Sequence, residues 1–243
     1  MVNNVNQFIA ELRDSGVIQY IKRERIELDI QSAISAVSAI GSAIVPEFRI
    51  DDDNRFVFEN LIRWIHADPS CECHDASSGK RIKARLNAGL YICGPTGTGK
   101  SVALNVIMQY ARFIGARIII QNHRRTHNPV MPLSTYPVRS DRITDEFVAM
   151  GSIERWKTAE ILAIQDLGSE PKLSNYMGNQ LNVMKSIIEY RGDHSDMISC
   201  FTSNLSLAAN GGKQVSEEYE DRVSSRLRQM CNVYILKGKD RRL

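Results

Sequence analysis

The sequence lacks a hydrophobic run long enough to cross a membrane, and it lacks a secretory signal. Its most apolar early stretch, 30–45, contains glutamine, serine and glycine and is shorter than the roughly 20 apolar residues that a membrane-spanning helix needs. The first residues do not show the basic and then apolar pattern of an exported chain. We therefore expect a cytoplasmic protein without a membrane partner.

The sequence also has little excess charge of either sign. There are 31 Lys and Arg residues against 28 Asp and Glu, which gives a net charge of +3. A field this weak excludes binding of nucleic acid through overall charge, so any such contact has to come from a local basic patch. The 43% of hydrophobic residues is typical of a folded globular chain and excludes a disordered one.

Cysteine is scarce, and its spacing fits no common zinc site. The chain has five cysteines, two of them inside apolar, strand-like runs, and this odd number indicates reduced thiols. One short stretch does bring together four side chains that can bind metal, but no distant second pair completes a tetrahedral site. We favour an exposed polar loop over a metal site here. The four side chains are His66, Cys71, Cys73 and His74.

The first third of the chain, residues 1–82, is predicted to be a small helical region. Apolar residues recur at helical spacing over 5–14, 30–44 and 54–66, whereas 67–80 contains proline, serine and glycine and is predicted to be a loop. These helices could dock a partner protein or pack on the rest of the chain. The sequence does not separate the two alternatives.

The remainder, residues 83–243, shows the pattern of an α/β domain. Short, unbroken apolar runs alternate with helical patterns such as 102–113, and runs of this kind are expected where helices cover both faces of a parallel sheet. The sequence therefore predicts an open parallel sheet of about five strands flanked by helices. The apolar runs are 90–93, 117–120, 161–164, 197–201 and 233–236.

The strongest motif is a phosphate-binding loop, the P-loop, over 94–101. It satisfies G-x-x-x-x-G-K-[ST] at every fixed position, and it stands between an apolar strand and an amphipathic helix, as the motif requires. Glycines let backbone N–H groups converge on a polyphosphate, the lysine neutralises its charge, and the serine hydroxyl binds Mg²⁺. The motif predicts ATP binding by Gly94, Pro95, Thr96, Gly97, Thr98, Gly99, Lys100 and Ser101.

Two polar residues that follow later strands are candidates for ATP hydrolysis. Asp166 comes after the apolar run 161–164, and we expect it to bind Mg²⁺, because such strand ends face the nucleotide in α/β folds. Asn204 follows the run 197–201 and is suited to hydrogen-bond the γ-phosphate or the attacking water. The alternative for Asn204 is a residue that caps a turn.

Four segments together resemble one group of AAA+ ATPases. This group contains the bacterial helicase loaders of the DnaC and DnaI type and the transposition helper IstB. The resemblance covers about residues 86–243 and implies a P-loop fold of the AAA+ type. The segments that carry it are Gly89–Cys93 leading into the P-loop, 166–170, 202–206 and 219–227.

The resemblance also implies roles for several residues. Asn204 stands at the sensor-1 position, and Arg226 stands at the arginine-finger position, which reaches the nucleotide of a neighbouring subunit. Arg222, one helical turn earlier, is placed to assist it. Arg241 or Arg242 stands at the sensor-2 end and would face the nucleotide of its own subunit. Without the resemblance, Arg222 and Arg226 would be interpreted as a solvated basic face.

One position departs from the family pattern. Members of this group have two adjacent acids after the strand, the first for Mg²⁺ and the second as catalytic base, whereas this chain has Gln165 and Asp166. A glutamine lacks the negative charge that a hard cation prefers. Either Asp166 takes the base position and hydrolysis is weak, or Asp166 serves the metal with Glu170 nearby.

A basic and aromatic stretch after the run 117–120 is a candidate DNA contact. Arg124 and Arg125 could bind phosphates, and Tyr136 could stack on a base. The alternative is an ordinary solvated loop. In proteins of the resembled group, this place carries an element that lines the path of single-stranded DNA.

The leading functional hypothesis is a helicase-loader-like ATPase in DNA replication. It would bind ATP, Mg²⁺ and single-stranded DNA, self-associate through Arg226, and hold a replicative helicase through residues 1–82. The alternatives are an IstB-like helper that binds duplex DNA and a transposase, and a nucleotide switch with little hydrolysis, which Gln165 motivates.

Overall fold

The computed structural model describes residues 2–15, 17, 19–121, 130–208 and 212–241. Its helices confirm the ones predicted near residues 5–14, 30–44, 54–66 and 102–113. None of the helices described combines the length and the apolar character that a membrane crossing requires. They are α1 (Val2–Asp14), α2 (Ile30–Ile44), α3 (Arg55–Ile65), α4 (Lys100–Phe113), α5 (Ser140–Met150), α6 (Glu154–Thr158), α7 (Val183–Gly192) and α8 (Val215–Met230).

The strands form one large sheet and two small ones. Two of the five strands at the centre of the large sheet, β4 and β11, are buried along their whole length, as expected for strands covered by helices on both faces. The strands are β1 (Tyr20–Lys22), β2 (Glu72–His74), β3 (Arg81–Lys83), β4 (Gly89–Cys93), β5 (Arg117–Gln121), β6 (Val130–Pro132), β7 (Val138–Arg139), β8 (Ile161–Leu167), β9 (Ser174–Tyr176), β10 (Asn179–Leu181), β11 (Ile198–Ser203) and β12 (Cys231–Ile235).

The large sheet has the order β3-β2-β12-β4-β11-β8-β7. The five strands from β12 to β7 are parallel, which confirms the predicted α/β class and the predicted parallel sheet. The antiparallel hairpin of β2 and β3 extends the sheet next to β12. The prediction of a loop over 67–80 is therefore wrong for β2. A strand of three residues is too short for its alternating burial to be recognised in the sequence.

One predicted strand lies elsewhere. The run 117–120 forms β5, which pairs antiparallel with β1 and β6 in a separate three-stranded sheet. Ile118 and Ile120 are buried, whereas Arg117 is exposed and Ile119 is half-buried. This alternation is typical of an antiparallel sheet with one covered face. The strand at the edge of the parallel sheet is β7.

The N-terminal helices pack directly on the rest of the chain. Helices α2 and α3 share one hydrophobic core with α4 and with the central strands of the large sheet. Arg23 fixes the segment before α2, because its guanidinium lies 4.5 Å from the ring centre of Trp64 and donates to the carbonyls of Ile65 (2.8 Å) and Leu86 (3.0 Å). Packing on the core, one of the two roles that the sequence left open, is therefore observed.

Candidate nucleotide-binding site

The P-loop joins β4 to α4 in a backbone conformation that requires glycine. Gly94 and Gly97 have φ values of +152° and +80°. A Cβ atom on Gly94 would lie 2.1 Å from the carbonyl oxygen of Leu236, and one on Gly97 would lie 2.1 Å from the carboxyl group of Asp240. The loop is thus enclosed by the segment after β12, and only glycine fits at these two positions.

Lys100 and Thr98 hold the interior of the loop together. The Nζ of Lys100 donates to the carbonyl oxygen of Pro95 at 2.7 Å, and the Oγ1 of Thr98 donates to the same oxygen at 2.9 Å. Lys100 is 6% exposed although it is charged. A buried ammonium group at the N-terminal end of α4 forms a strongly attractive site for an anion.

Ser101 and Asp166 meet beside the loop. The Oγ of Ser101 donates to Oδ1 of Asp166 at 3.0 Å, which joins the start of α4 to the end of β8. Asp166 has a φ of +57°, a strained value for a residue with a side chain. Its backbone is held there by Thr202, whose Oγ1 accepts from its N–H at 3.0 Å, and by Ser140, whose Oγ donates to its carbonyl at 2.9 Å.

Gln165 contacts the backbone of Ser101 and not its hydroxyl. Its Nε2 donates to the backbone carbonyl of Ser101 at 3.2 Å. Glu170 is engaged elsewhere, since its carboxylate accepts from the N–H of Gly168 (2.9 Å) and from the hydroxyl of Tyr219. The carboxylate beside the serine hydroxyl therefore belongs to Asp166. A hydroxyl and a carboxylate are the oxygen ligands that Mg²⁺ prefers, so these two residues fit the metal.

Arg139 is a site residue that the sequence did not reveal. Its Nη1 lies 3.1 Å from Oδ2 of Asp166, and its Nη2 lies 2.7 Å from Oδ2 of Asp141. The hydrogen bonds to Asp141, with Asp166 adding a smaller effect, raise the pKa of Arg139 above its ordinary value. Strand β7 has only two residues, which is too short for hydrophobic spacing to place Arg139 next to Gln165 in the sheet.

The P-loop forms one wall of a cleft of about 360 Å³. The facing wall comes from the connection between α2 and α3 and from the start of α3. There the ring of Phe48 packs under Gly41 and lies edge-on to Phe58, with ring centres 5.3 Å apart. A cleft with phosphate-binding groups on one side and aromatic groups on the other has the chemistry to hold a nucleotide. Its apolar lining on this side is Val45, Phe48 and Phe58.

Asn204 and Arg241 also line this cleft, as the sequence predicts for nucleotide-contacting residues. Asn204 follows β11, whose last residue, Ser203, donates from its Oγ to the carbonyl of Leu167 at 2.6 Å. Arg241 forms a two-pronged ion pair with Asp51, with nitrogen-to-oxygen distances of 2.9 and 2.7 Å. The hydrogen bond to Arg241 lowers the pKa of Asp51.

Arg222 and Arg226 lie on α8, outside the lining of the cleft. The Nε of Arg222 lies 3.3 Å from Oε1 of Glu189, and Arg226 forms an ion pair with Asp193. The stem of Arg226 packs closely on Gly192. The two arginines therefore face the end of α7 in their own subunit, and the arginine-finger role of Arg226 stays a prediction.

The candidate DNA contacts are only partly described by the structure. Arg124, Arg125 and Arg242 lie outside the described residues. Tyr136 is 70% exposed, and the guanidinium of Arg112 lies 5.6 Å from its ring centre and donates to its hydroxyl. An exposed aromatic ring beside a cation is a surface on which a base can stack.

The cysteine and histidine residues between 66 and 74 do not form an exposed loop, so that prediction is wrong. Cys71 and Cys73 are buried, and the Nε2 of His66 lies 2.8 Å from the hydroxyl of Tyr110. The Nδ1 of His74 accepts from the N–H of Ile235 at 3.2 Å. Within the described ranges, no group of three or more His, Cys, Asp or Glu residues is arranged to hold a metal.

The sequence and the structure were compared with known proteins. No family model matches the sequence, and neither does any curated protein. Among solved structures, DnaI is 18% identical with a TM-score of 0.47, covering 79% of this chain and 85% of DnaI. Domain III of the replication initiation protein DnaA from Thermotoga maritima is 17% identical with a TM-score of 0.48, covering 80% and 67%.

The DnaC helicase loader is 13% identical with a TM-score of 0.46, covering 78% of this chain and 93% of that structure. At these identities the likeness is one of fold. By its own topology and motif the chain is an α/β protein with a P-loop, and the structures that it is similar to include DnaI and the DnaC helicase loader.

Proposed function

We propose that this chain binds ATP with Mg²⁺ and hydrolyses it to ADP and phosphate. The observation that carries the proposal is the 3.0 Å contact between the hydroxyl of Ser101 and the carboxylate of Asp166, at the mouth of a P-loop that holds Lys100. These groups come from α4 and β8, and the fold brings them to the same edge of the sheet. An arrangement of this kind fits a nucleotide triphosphate and its metal.

The P-loop, Asp166 and Asn204 have separate roles in this reaction. The backbone N–H groups of 94–101 and the ammonium of Lys100 bind the phosphates and neutralise their charge. Ser101 and Asp166 would hold Mg²⁺, which supplies charge stabilisation at the transferring phosphoryl group. Asn204, which lines the same cleft, orients the attacking water through its amide.

The test is phosphate release measured on the full chain, alone and with single-stranded or duplex DNA. We expect turnover that is abolished by Asp166→Asn and by Lys100→Ala. Robust turnover that survives Asp166→Asn would refute the assignment of Asp166. The matched control is Asp145→Asn, which changes an exposed carboxylate on α5 outside the cleft.

A nucleotide switch with little hydrolysis is the second candidate, and Gln165 favours it. The amide of Gln165 is tied to the Ser101 carbonyl, and Asp166 is the carboxylate at the serine hydroxyl. If Asp166 serves the metal, no adjacent acid takes the role of a general base. Tight ATP binding with phosphate release no faster than that of Asp166→Asn would select the switch over the hydrolase.

For the biological role we propose a helicase-loader-like function in DNA replication. The support is the motif set that resembles the DnaC and DnaI group, together with the exposed pair of Tyr136 and Arg112 as a stacking surface for single-stranded DNA. Binding should weaken steeply with salt, because neutralised phosphates release counterions. Tyr136→Ala should weaken it about tenfold, whereas preference for duplex DNA and a transposase would point to an IstB-like helper.

Retention of a replicative helicase by the full chain tests the partner directly. We expect residues 1–82 to carry the contact. The exposed apolar side chains Val5 and Phe8 on α1 are available for it. The double variant Val5→Ser with Phe8→Ser should lose the helicase and keep ATP binding. A double variant that still retains the helicase would exclude α1 as the contact.

Subunit-shared catalysis through Arg226 can be tested by mixing inactive variants. Arg226→Ala keeps its own P-loop but cannot complete the site of a neighbour, and Lys100→Ala has the opposite defect. If the guanidinium acts across an interface, the mixture regains part of the wild-type rate. A mixture that stays as inactive as both variants would contradict action across an interface, and an Arg226→Ala variant that is fully active by itself would show that hydrolysis does not need this arginine.

A further inference from the structure

An ion pair joins Asp51 to Arg241, a residue that lines the cleft. Asp51 belongs to the connection between α2 and α3, and Arg241 belongs to the segment after β12. The Nη1 of Arg241 lies 2.9 Å from Oδ2 of Asp51, and its Nη2 lies 2.7 Å from Oδ1. A two-pronged contact fixes the plane of a guanidinium as well as its position.

Asp51 is presented on a rigid turn. Its backbone N–H donates to Oδ1 of Asn54 at 2.9 Å, and the Nδ2 of Asn54 donates to the carbonyl of Arg49 at 3.0 Å. The carbonyl of Asp51 in turn accepts from the backbone N–H groups of Asn54 and Arg55 at 3.1 and 2.8 Å. The backbone N–H of Asp53 donates to Oδ1 of Asp51 at 3.2 Å, so the turn before α3 holds the carboxylate as well as the backbone.

Arg241 is anchored less firmly by its own segment. Its backbone N–H donates to the carbonyl of Gly97 at 3.0 Å, and its stem passes over Gly99 at the start of α4. These contacts place the side chain above the P-loop, but they do not fix the direction of the guanidinium. Asp51 is the residue that fixes it.

The pair leaves the guanidinium able to bind phosphate. A guanidinium has five N–H donors, and two of them face Asp51, so three remain for the cleft. Arg49, whose Nε lies 3.4 Å from Oδ2 of Asp51, adds a second positive charge to the cluster, and Asp53, whose charge also acts on Arg241, offsets it. Hydrogen bonding within the pair lowers the pKa of Asp51 and raises that of Arg241, which keeps both groups ionised at neutral pH.

We propose that Asp51 is a positioning residue, which holds the guanidinium of Arg241 at the wall of the cleft where a bound polyphosphate meets it. The inference rests on the proposed nucleotide binding and extends it to the N-terminal helices. Because Asp51 is held by the start of α3, the position of the Arg241 guanidinium depends on the packing of that helix on the core.

The test is a double-mutant cycle with ADP and ATP titrated into the full chain. Asp51→Asn and Arg241→Gln should each weaken the binding of both nucleotides about tenfold. The double variant should be no weaker than Arg241→Gln alone, because the two residues act through one group. Asp51→Glu, which restores the carboxylate, should recover most of the loss, and the exposed Asp52→Asn is the matched control.

Several outcomes would overturn the inference. Asp51→Asn that binds nucleotide as the wild type does, or more tightly, would show that the carboxylate does not position Arg241 for the ligand. A lower unfolding temperature without a change in affinity would assign the pair a purely structural role. If the wild type itself binds no ATP, the proposed function fails together with the inference. If Asp51→Asn leaves the nucleotide affinity unchanged while Lys100→Ala abolishes binding, the inference alone fails.

Discussion

The two walls of the nucleotide cleft are built in different ways. The wall formed by residues 94–101 is continuous in sequence, and its glycines, lysine and serine follow a motif that can be read directly. The facing wall is formed by the connection from α2 to α3 and the start of α3, with Val45, Phe48 and Phe58, and it follows no motif. Phosphate chemistry constrains neighbouring residues, whereas an apolar wall needs only shape and burial.

The comparison implies a division of the binding energy. The P-loop wall should provide nearly all of the affinity for the phosphates, and the facing wall should provide affinity for the base. Substitutions in the first wall should then affect every phosphate-containing ligand. Substitutions of the aromatic residues Phe48 and Phe58 in the second should affect only ligands that carry a base.

Lys100→Ala should have the largest effect. It removes the buried ammonium at the start of α4, and the affinity for ATP should fall at least about a hundredfold, because a buried charge contact is lost. Calorimetric titration measures this. The matched control is Lys83→Ala, an exposed lysine of the β2–β3 hairpin. Unchanged affinity in Lys100→Ala would exclude the P-loop as the phosphate site.

Asp166→Asn should leave nucleotide binding without metal intact and reduce hydrolysis about a hundredfold or more. The substitution keeps the hydrogen bond from Ser101 but removes the negative charge at the metal position. Phosphate release at saturating ATP and Mg²⁺ is the measurement. If the rate is unchanged, the metal is held by other residues and the account of this wall is wrong.

Phe48→Ala should separate the two walls. The ring lies against Gly41 and Phe58, and its removal should weaken ATP binding by about five- to thirtyfold while leaving inorganic triphosphate binding unchanged. Competition of both ligands against a fluorescent nucleotide measures the difference. The control is Phe8→Ala on α1. Equal losses for both ligands would indicate general damage to the cleft and would break the comparison.

Arg139→Ala should have a smaller effect than the three substitutions above, and it should favour Mg²⁺ binding instead of weakening a function. Arg139 pairs with Asp166 through a contact that is about half exposed, so its removal should lower the Mg²⁺ concentration needed for half-maximal hydrolysis by about two- to fivefold. The matched control is Arg142→Ala, an exposed arginine on α5. A higher Mg²⁺ requirement would show that Arg139 assists the metal site and does not compete for it.

The pH dependence of the Asp51–Arg241 pair should be the smallest effect. The pKa of Asp51 in the folded chain lies below its ordinary value of 3.8, so its stabilising contribution is complete above pH 3.8 and is lost as the pH falls through the lowered pKa. The unfolding temperatures of wild type and Asp51→Asn should differ by about 2 °C at pH 7, since the pair is partly exposed. The difference should shrink once the pH falls below 3.8 and vanish below the lowered pKa, and a difference in unfolding temperature that grows in acid would contradict this direction.

The sequence predicted the parallel sheet, the P-loop and the contact of Asp166 with the cleft, because these depend on local runs and fixed spacings. It misassigned 117–120, since an apolar run of four residues fits either a buried parallel strand or one face of an antiparallel sheet. It missed Arg139 because β7 spans two residues. It missed Phe48, which lines the cleft, and Asp51, which pairs with Arg241, because both are brought there only by the packing of α2 and α3. Motifs report chemistry within one segment, whereas the facing wall exists only in the folded chain.

The most direct test of the central claim is a calorimetric titration of ATP into the wild-type chain, with Mg²⁺ and then with a chelator. The account predicts one site per chain in both conditions, with tighter binding when Mg²⁺ is present, because Ser101 and Asp166 add metal contacts to those of the P-loop. Absence of binding to a folded protein in both conditions would contradict the account.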